Sequence, residues 1–267
     1  MNINKFQLLQ ISNITIVIVT IIINALANLL PIGGRYTEEL ADNIPNLFVP
    51  AGVTFAIWGV IYVLIILFSV YLAKDLFKKE KTTKPFLEKI SYFFILANTA
   101  NIVWIFLWHY EQVILSLFAT LIVFGSLLAL YLRLNIGLEK VSMKDKLFIH
   151  VPISVYLGWG TVATIANVTA VLVIINWNGF GISEEIWTIL ALIIATIITI
   201  LIILTRRDYA YSAVIIWALI GIYLKRSVVD PLYGLQTQIA DTAMIAIFLI
   251  LIISIIKMIV PYVKKSS

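Results

Sequence analysis

Eight long apolar runs constrain this chain more than any other feature of its sequence. The runs cover residues 7–30, 51–73, 90–109, 112–132, 148–174, 186–205, 209–224 and 239–260. Asp241 and Lys257 are the only Asp, Glu, Lys or Arg residues inside them. A helix needs about 20 apolar residues to cross the hydrocarbon core of a bilayer. The runs are continuous, whereas membrane strands alternate in hydrophobicity. We therefore predict an all-α fold, a polytopic membrane helical bundle of about eight transmembrane helices.

The composition agrees with a chain whose main partner is the lipid bilayer. Hydrophobic residues make up 62% and charged residues 12%, with a mean hydropathy of +1.04. Soluble domains are about 45–50% apolar and about 25% charged, so a water-soluble fold is excluded. The chain has no cysteine, which removes disulfides, thiolate metal sites and cysteine nucleophiles.

Lys and Arg are distributed unevenly between alternate loops. Sixteen of the 19 fall on the side of the N-terminus, in the tail, in loops 74–89 and 133–147, in turn 206–207 and at the C-terminal end. By the positive-inside rule this predicts both termini on the cytoplasmic side of the cell membrane. The basic charge is then an orientation signal, and nucleic acid is not expected as a partner. We expect the first run to be a retained helix; a signal peptide cleaved near Ala25 and Ala27 is the alternative.

Patterns that carry catalytic or metal chemistry are missing from the sequence. His109 and His150 close and open helices on opposite sides of the membrane, on the order of 30 Å apart, so they cannot share a metal ion. No Gly-x-Gly-x-x-Gly or Gly-x-Ser-x-Gly motif occurs. We expect no enzymatic activity, no metal site and no required cofactor.

Aromatic and amide side chains recur on one face of three predicted helices. At 100° per residue they fall on shared arcs; the residues are Phe55, Trp58 and Tyr62 on the second helix, Asn98, Asn101, Trp104 and Trp108 on the third, and Tyr156, Trp159, Thr164 and Asn167 on the fifth. Amides in lipid must find partners or line a cavity, so these faces should point into the bundle.

These residues also lie at a similar depth, beneath the outer loop at 31–50. Trp58, Asn101 and Asn167 are each about 10 Å from the outer ends of their helices at 1.5 Å per residue. Rings that stack and amides that fix polar edges suit a flat hydrophobic ligand in an outward-facing pocket. The alternative is an interfacial aromatic belt with amides that only join helices.

Three segments resemble the TspO/MBR family of tryptophan-rich sensory proteins, also called translocator proteins. Residues 50–62 (PAGVTFAIWGVIY) resemble its Pro, Phe, Trp and Tyr signature, 97–104 (ANTANIVW) its third-helix motif, and 156–167 (YLGWGTVATIAN) its fifth-helix motif. The resemblance covers about residues 7–175, the length of the family's five-helix bundle. Family members usually stop there, so we predict a TspO-like unit at 1–175 and three additional helices in 176–267.

The resemblance implies a pocket that takes porphyrins and other flat hydrophobic molecules, and a protein that commonly forms homodimers. Position by position it carries over to Trp58, Tyr62, Asn101, Trp104, Trp159 and Asn167. A porphyrin or haem-like ligand is expected to bind by apolar stacking, because His109 is the only candidate axial ligand nearby.

Three functions stay open at this point. The first is a ligand-binding sensor or receptor for a tetrapyrrole-like molecule. The second is a secondary transporter of a small hydrophobic substrate, although no inverted repeat is readable. The third is a membrane enzyme that uses polar residues around the last outer loop, which we expect instead to be a solvated cluster; these are Lys225, Arg226, Asp230 and Asp241.

Overall fold

A computed structural model describes residues 4–30, 32–78, 82–230 and 232–263, with side chains except those of 28 and 260–263. Helices account for nearly all regular structure in these ranges, and no strand occurs there. They are α1 Lys5–Leu29, α2 Thr37–Asp42, α3 Ile57–Leu72, α4 Lys84–Ile90, α5 Phe93–His109, α6 Val113–Arg133, α7 Met143–Asp145, α8 Val151–Ile174, α9 Glu184–Arg206, α10 Tyr209–Arg226 and α11 Thr237–Val263. A 3₁₀ segment, Gly52–Ala56, precedes α3, and a π-helical turn, Lys146–His150, precedes α8.

The predicted helical membrane bundle is confirmed. Within the described residues, six helical segments are long and apolar enough to span a bilayer, and the α4–α5 pair, bent by 49°, makes a seventh. A helix occupies each of the eight predicted runs. The eighth candidate, α10, has 18 residues and ends with Lys225 and Arg226, and it does not reach the apolarity of the others.

Local signals explain where several helices begin. The Asn4 side chain accepts from the Gln7 backbone N–H at 3.0 Å, and the Asn4 backbone N–H donates to the Gln7 side-chain oxygen at 3.1 Å. This pair of hydrogen bonds is a capping box that starts α1. Ser183 caps α9 in front of two acidic residues, which favour the positive end of the helix dipole. Asp208 caps α10 through the N–H groups of its first turn. Side-chain caps therefore define the boundaries where apolar runs alone are ambiguous.

The helix α8 lies at the centre of the bundle, between α3, α6 and α10. Its residues 152–162 are all buried. Gly158 allows the close approach of α10, because a Cβ atom there would lie 3.0 Å from Val214. Small residues at such crossings let helices pack closely in membranes.

The last three helices are packed against the earlier ones. The Ala51 N–H donates to the Gly221 carbonyl of α10 at 3.0 Å. A Cβ atom on Gly221 would lie 1.9 Å from the Thr54 hydroxyl, so only glycine fits at this crossing. The Trp217 indole N–H donates to the Thr54 carbonyl at 2.9 Å. The division of the chain after residue 175 stays a prediction.

Candidate functional site

Trp58 is the centre of an aromatic cluster formed by three helices and the segment before α3. Its ring stacks on Tyr62 and on Trp104, with centroid distances of 5.8 and 6.4 Å. It meets Tyr156 and Trp159 edge-on, both at 6.3 Å. Two further contacts extend the cluster, since Trp104 stacks on Trp108 at 5.6 Å and Phe55 meets Trp159 at 5.9 Å. The periodic faces read from the sequence thus converge on one another.

Two cavities share this cluster as a wall. The smaller, of about 50 Å³, lies among the rings and a row of small α8 residues; its walls include Phe55, Trp58, Trp104, Trp108, Trp159, Ala163, Ala166 and Asn167. The larger, of about 510 Å³, lies between α1, α2, α3 and α5 and is lined by Asn24, Thr37, Glu38, Phe55, Trp58, Tyr62 and Ile105. We call the larger one the Trp58 groove.

The exposed rim of the Trp58 groove is apolar except for Glu38. Val53, Ala56 and Gly59 line it, and all three are exposed, with Val53 at 59%. The next turns of α3 expose Val60 and Val63 as well. On a membrane-spanning helix such a surface faces lipid, so the groove opens sideways toward the bilayer.

A short helix, α2, covers the rings beside the C-terminal end of α5. The Trp108 indole N–H donates to the Thr37 carbonyl at 3.2 Å, and the Thr37 hydroxyl lies 3.4 Å from His109 Nε2. The helix starts at Tyr36, whose N–H donates to the Glu39 carboxylate at 2.9 Å. The cover is therefore tied to the end of α5 by side chains that also border the rings.

Arg226 at the end of α10 holds the chain that follows this cover. It is 1% exposed and donates to the carbonyls of Leu47 and Asn46 at 3.1 and 2.9 Å. Its third partner is Asp230, at 3.0 Å. Burial by itself would raise the pKa of Asp230, but two backbone N–H groups and the guanidinium hold it below its ordinary value. The expected solvated cluster is wrong for Arg226, because backbone carbonyls replace its water.

Asn167 joins three helices beneath the smaller cavity. Its Oδ1 accepts from the Trp104 indole N–H at 3.3 Å, from Thr120 Oγ1 at 2.7 Å and from Ser116 Oγ at 3.2 Å. Its Nδ2 donates back to Ser116 Oγ at 3.1 Å. The amide thus links α8 to α5 and α6, and in this structure it positions Trp104.

A polar stripe on α1 runs toward the same region. Gln10, Asn13, Thr20 and Asn24 fall within about 80° of one another at 100° per residue, and all are buried. Asn24 Nδ2 donates to Asn101 Oδ1 at 3.0 Å, which links α1 to α5. Among the described residues, neither side-chain polar atom of Asn13 has a hydrogen-bond partner. Buried amides of this kind normally bind ordered water.

The predicted site residues divide into three groups. Phe55, Trp58, Tyr62, Trp104, Trp108, Trp159 and Asn167 line one or both cavities. Tyr156 touches the cluster only through Trp58. Asn98 donates to the Phe94 carbonyl and Thr164 to the Gly160 carbonyl, both within their own helices. Asn101 accepts from Asn24. None of these three residues lines either cavity.

Several lining residues were not anticipated. Thr37 and Glu38 belong to α2, whose six residues show no apolar period, although acidic residues in a first turn are typical of a helix start. Ala166 lines the smaller cavity because its small side chain leaves the space open. Within the described residues, no three His, Asp or Glu side chains are grouped closely enough to hold a metal ion.

The fold and the cluster define a helical, multi-pass membrane protein with tryptophan-lined cavities between its helices. The sequence matches the TSPO-like protein family over residues 10–256, and the chain belongs to that family. The resemblance predicted from three motifs is thereby confirmed. The match extends through α9 and α10 and into α11. Comparison with curated proteins and with solved structures gives no match.

Proposed function

We propose that this protein binds a flat hydrophobic ligand of the tetrapyrrole class in the Trp58 groove and acts as a receptor for it. The observation that carries the proposal is the Trp58 cluster, which forms one wall of a groove open to lipid. In this proposal the protein lies in the cell membrane with both termini in the cytoplasm.

Size and shape favour the groove over the smaller cavity. Ligand sites usually measure about 300–1,000 Å³; the groove has about 510 Å³, and the smaller cavity about 50 Å³. Trp58 and Tyr62 border the groove with their rings stacked at an interplanar angle of 23°. Nearly parallel rings favour a planar ligand, because offset stacking adds about 0.5–1.5 kcal/mol beyond area burial.

Polar groups in the lining of the groove suit the polar periphery of such a ligand. Asn24, Thr37 and Glu38 are the polar members of its lining. A few placed polar groups in an apolar site fix the orientation of a ligand. The Trp159 indole N–H is buried without an acceptor among the described residues, but Trp159 lines the smaller cavity and not the groove.

Fluorescence titration tests the proposal directly. Four of the seven tryptophans border the smaller cavity, and Trp58 also borders the groove, so a bound porphyrin should quench much of the intrinsic emission. The purified protein is titrated with protoporphyrin IX and, separately, with a non-planar lipid. Saturable quenching by the porphyrin alone is the expected result.

Two variants separate the groove from general membrane partitioning. Trp58→Leu should raise the dissociation constant about five- to tenfold, the equivalent of about 1 kcal/mol of stacking. Trp177→Leu removes one tryptophan that contacts Trp187 and lies outside the cluster, so it should leave the constant unchanged. Equal affinity in the two variants, with both proteins folded, would refute a site at Trp58.

A further inference from the structure

A third cavity, of about 630 Å³, lies at the other end of α8, where α8 and α10 begin and α6 and α9 end. Its walls come from the loop after α6, the π-helical turn, the start of α8 and the α9–α10 turn. The lining residues used below are Glu139, Lys140, Lys146, His150, Arg207 and Asp208. We call it the His150 cavity. It shares no residue with the Trp58 groove.

Cations outnumber anions around this cavity. Lys140, Lys146 and Arg207 line it, and none forms an ion pair within the described ranges. Glu139 is already paired with Lys89, whose hydrogen bond is the main reason that the pKa of Glu139 lies below its ordinary value. The uncompensated charge at the cavity mouth is therefore positive.

Two buried polar groups in the wall lack hydrogen-bond partners. His150 is 5% exposed and its Nε2 is unpaired; Asp208 is 7% exposed and its Oδ2 is unpaired. The other carboxylate oxygen, Oδ1, caps α10 through the N–H groups of Ala210 and Tyr211, both at 3.1 Å. The Tyr131 hydroxyl lies near Asp208 without the geometry of a hydrogen bond. Within the described residues, His150 Nε2, Asp208 Oδ2 and the Tyr131 hydroxyl thus remain without a partner of hydrogen-bond geometry, and the first two belong to residues that line the cavity.

The backbone around the cavity has two irregular features that shape it. Residues Lys146–His150 form a π-helical turn in which the Val151 N–H donates to the Lys146 carbonyl. Single π-helical turns are frequent at functional sites. Gly137 has φ +82°, and a Cβ atom there would lie 2.0 Å from the Arg206 carbonyl, so the loop presses directly on the end of α9. These features hold Lys146 and His150 on one side of the cavity and the α9–α10 turn on the other.

We propose that the His150 cavity binds a phosphate-bearing ligand that also carries a hydroxyl or amine donor. Its phosphate oxygens accept from Lys140, Lys146, Arg207 and His150 Nε2, and its donor binds Asp208 Oδ2. Basic cavities between membrane helices commonly bind anionic lipid head groups at the cytoplasmic leaflet. The chemistry is shared by a lipid head group and by a free phosphate ester.

Binding of short-chain lipids to the full chain in detergent tests the proposal. The probes are dioctanoyl-phosphatidylglycerol, glycerol 3-phosphate and dioctanoyl-phosphatidylcholine, the last of which has phosphate without a donor. Saturable binding of the first, tighter than the third, supports a lipid source; equally tight binding of glycerol 3-phosphate supports a soluble source. If neither dioctanoyl-phosphatidylglycerol nor glycerol 3-phosphate binds saturably, the site is overturned.

Charge-matched variants make the test specific. K140Q/K146Q should weaken binding about 30-fold, since each of the two basic residues near an anionic surface contributes about 1 kcal/mol. The control K78Q/K144Q removes the same charge from residues that do not line the cavity. Equal loss in the two double variants overturns the proposal.

Asp208→Asn tests the donor contact without removing the cap, because Asn caps helices as well as Asp does. It should narrow the preference for phosphatidylglycerol over phosphatidylcholine, and the remainder reflects the net negative charge of phosphatidylglycerol beside the three cations. A preference as large as that of the parent chain, with phosphate binding intact, overturns the role of Asp208. None of these measurements involves the Trp58 groove, so the proposed function stands or falls separately.

Discussion

Replacing Asn167 with Leu tests whether one amide holds the aromatic cluster together. Three helices meet at its side chain, through Trp104, Ser116 and Thr120. The two hydroxyls have alternative acceptors on their own helix, since Ser116 Oγ also donates to the Val113 carbonyl at 2.8 Å and Thr120 Oγ1 to the Ser116 carbonyl at 3.0 Å. No alternative acceptor for the Trp104 indole N–H is seen among the described residues. The change therefore leaves one partly buried donor unpaired.

The size of the effect follows from that count. An unpaired buried donor costs about 1–3 kcal/mol, and each interhelical hydrogen bond lost in a membrane protein costs about 0.6 kcal/mol on average. We expect Asn167→Leu to lower the free energy of unfolding by about 2 kcal/mol, roughly a 30-fold change in the folding equilibrium. The stacked contacts of Trp104 should loosen as well, which a shift in tryptophan emission would report.

Thr164→Val is the matched control on the same helix. Thr164 Oγ1 donates at 2.7 Å to the Gly160 carbonyl of its own helix, so no interhelical contact is lost. Unfolding with sodium dodecyl sulfate in mixed micelles measures both variants against the parent chain. If Asn167→Leu lies within about 0.5 kcal/mol of the control, a range typical of neutral substitutions, the reasoning about the shared amide is wrong.

Three further predictions concern the packing at Gly221, the buried Arg226 at the end of α10, and the pH dependence of stability through Asp75. Gly221→Ala should lower the melting temperature and cost about 1–3 kcal/mol by overpacking against Thr54, whereas Gly125→Ala, with open space around its Cβ position, should be neutral or stabilising. Arg226→Met should cost about 3 kcal/mol, because it breaks a buried ion pair, and should increase proteolysis of the outer loop. Burial alone would raise the pKa of Asp75, but hydrogen bonds hold it below the ordinary 3.8. The contribution of this carboxylate to stability is complete at neutral pH and is lost as the pH falls below that value. Asp75→Asn should therefore make the melting temperature less dependent on pH in measurements between pH 5 and 3.

The sequence predicted the helices well because lipid imposes a simple rule on length and apolarity. It also predicted that the faces of α3, α5 and α8 converge, since 100° periodicity places Trp58, Trp104 and Trp159 on inward arcs and the structure brings their rings into contact. It could not predict α2, which is too short to show a period. The burial of Arg226 was also beyond reach, because it depends on carbonyls about 180 residues away in the chain.

The amide network shows the same division between local and distant information. An Asn in a membrane span signals a polar partner but does not identify it. Asn98 bonds within its own helix, while Asn101 and Asn167 reach other helices. Which outcome occurs depends on helix rotation and on the neighbour that approaches, and neither is encoded within one span.

The Trp58 groove opens sideways, beside exposed Val53 and Gly59. Its occupancy therefore depends on the concentration of the ligand in the membrane. A hydrophobic molecule that reaches the groove from the acyl chains is supplied from a thin film and not from the aqueous volume. Occupancy would then follow the partition coefficient and the amount of lipid or detergent present. A dissociation constant measured in micelles should rise in proportion to the micelle volume, and converting it to a mole fraction should remove that dependence.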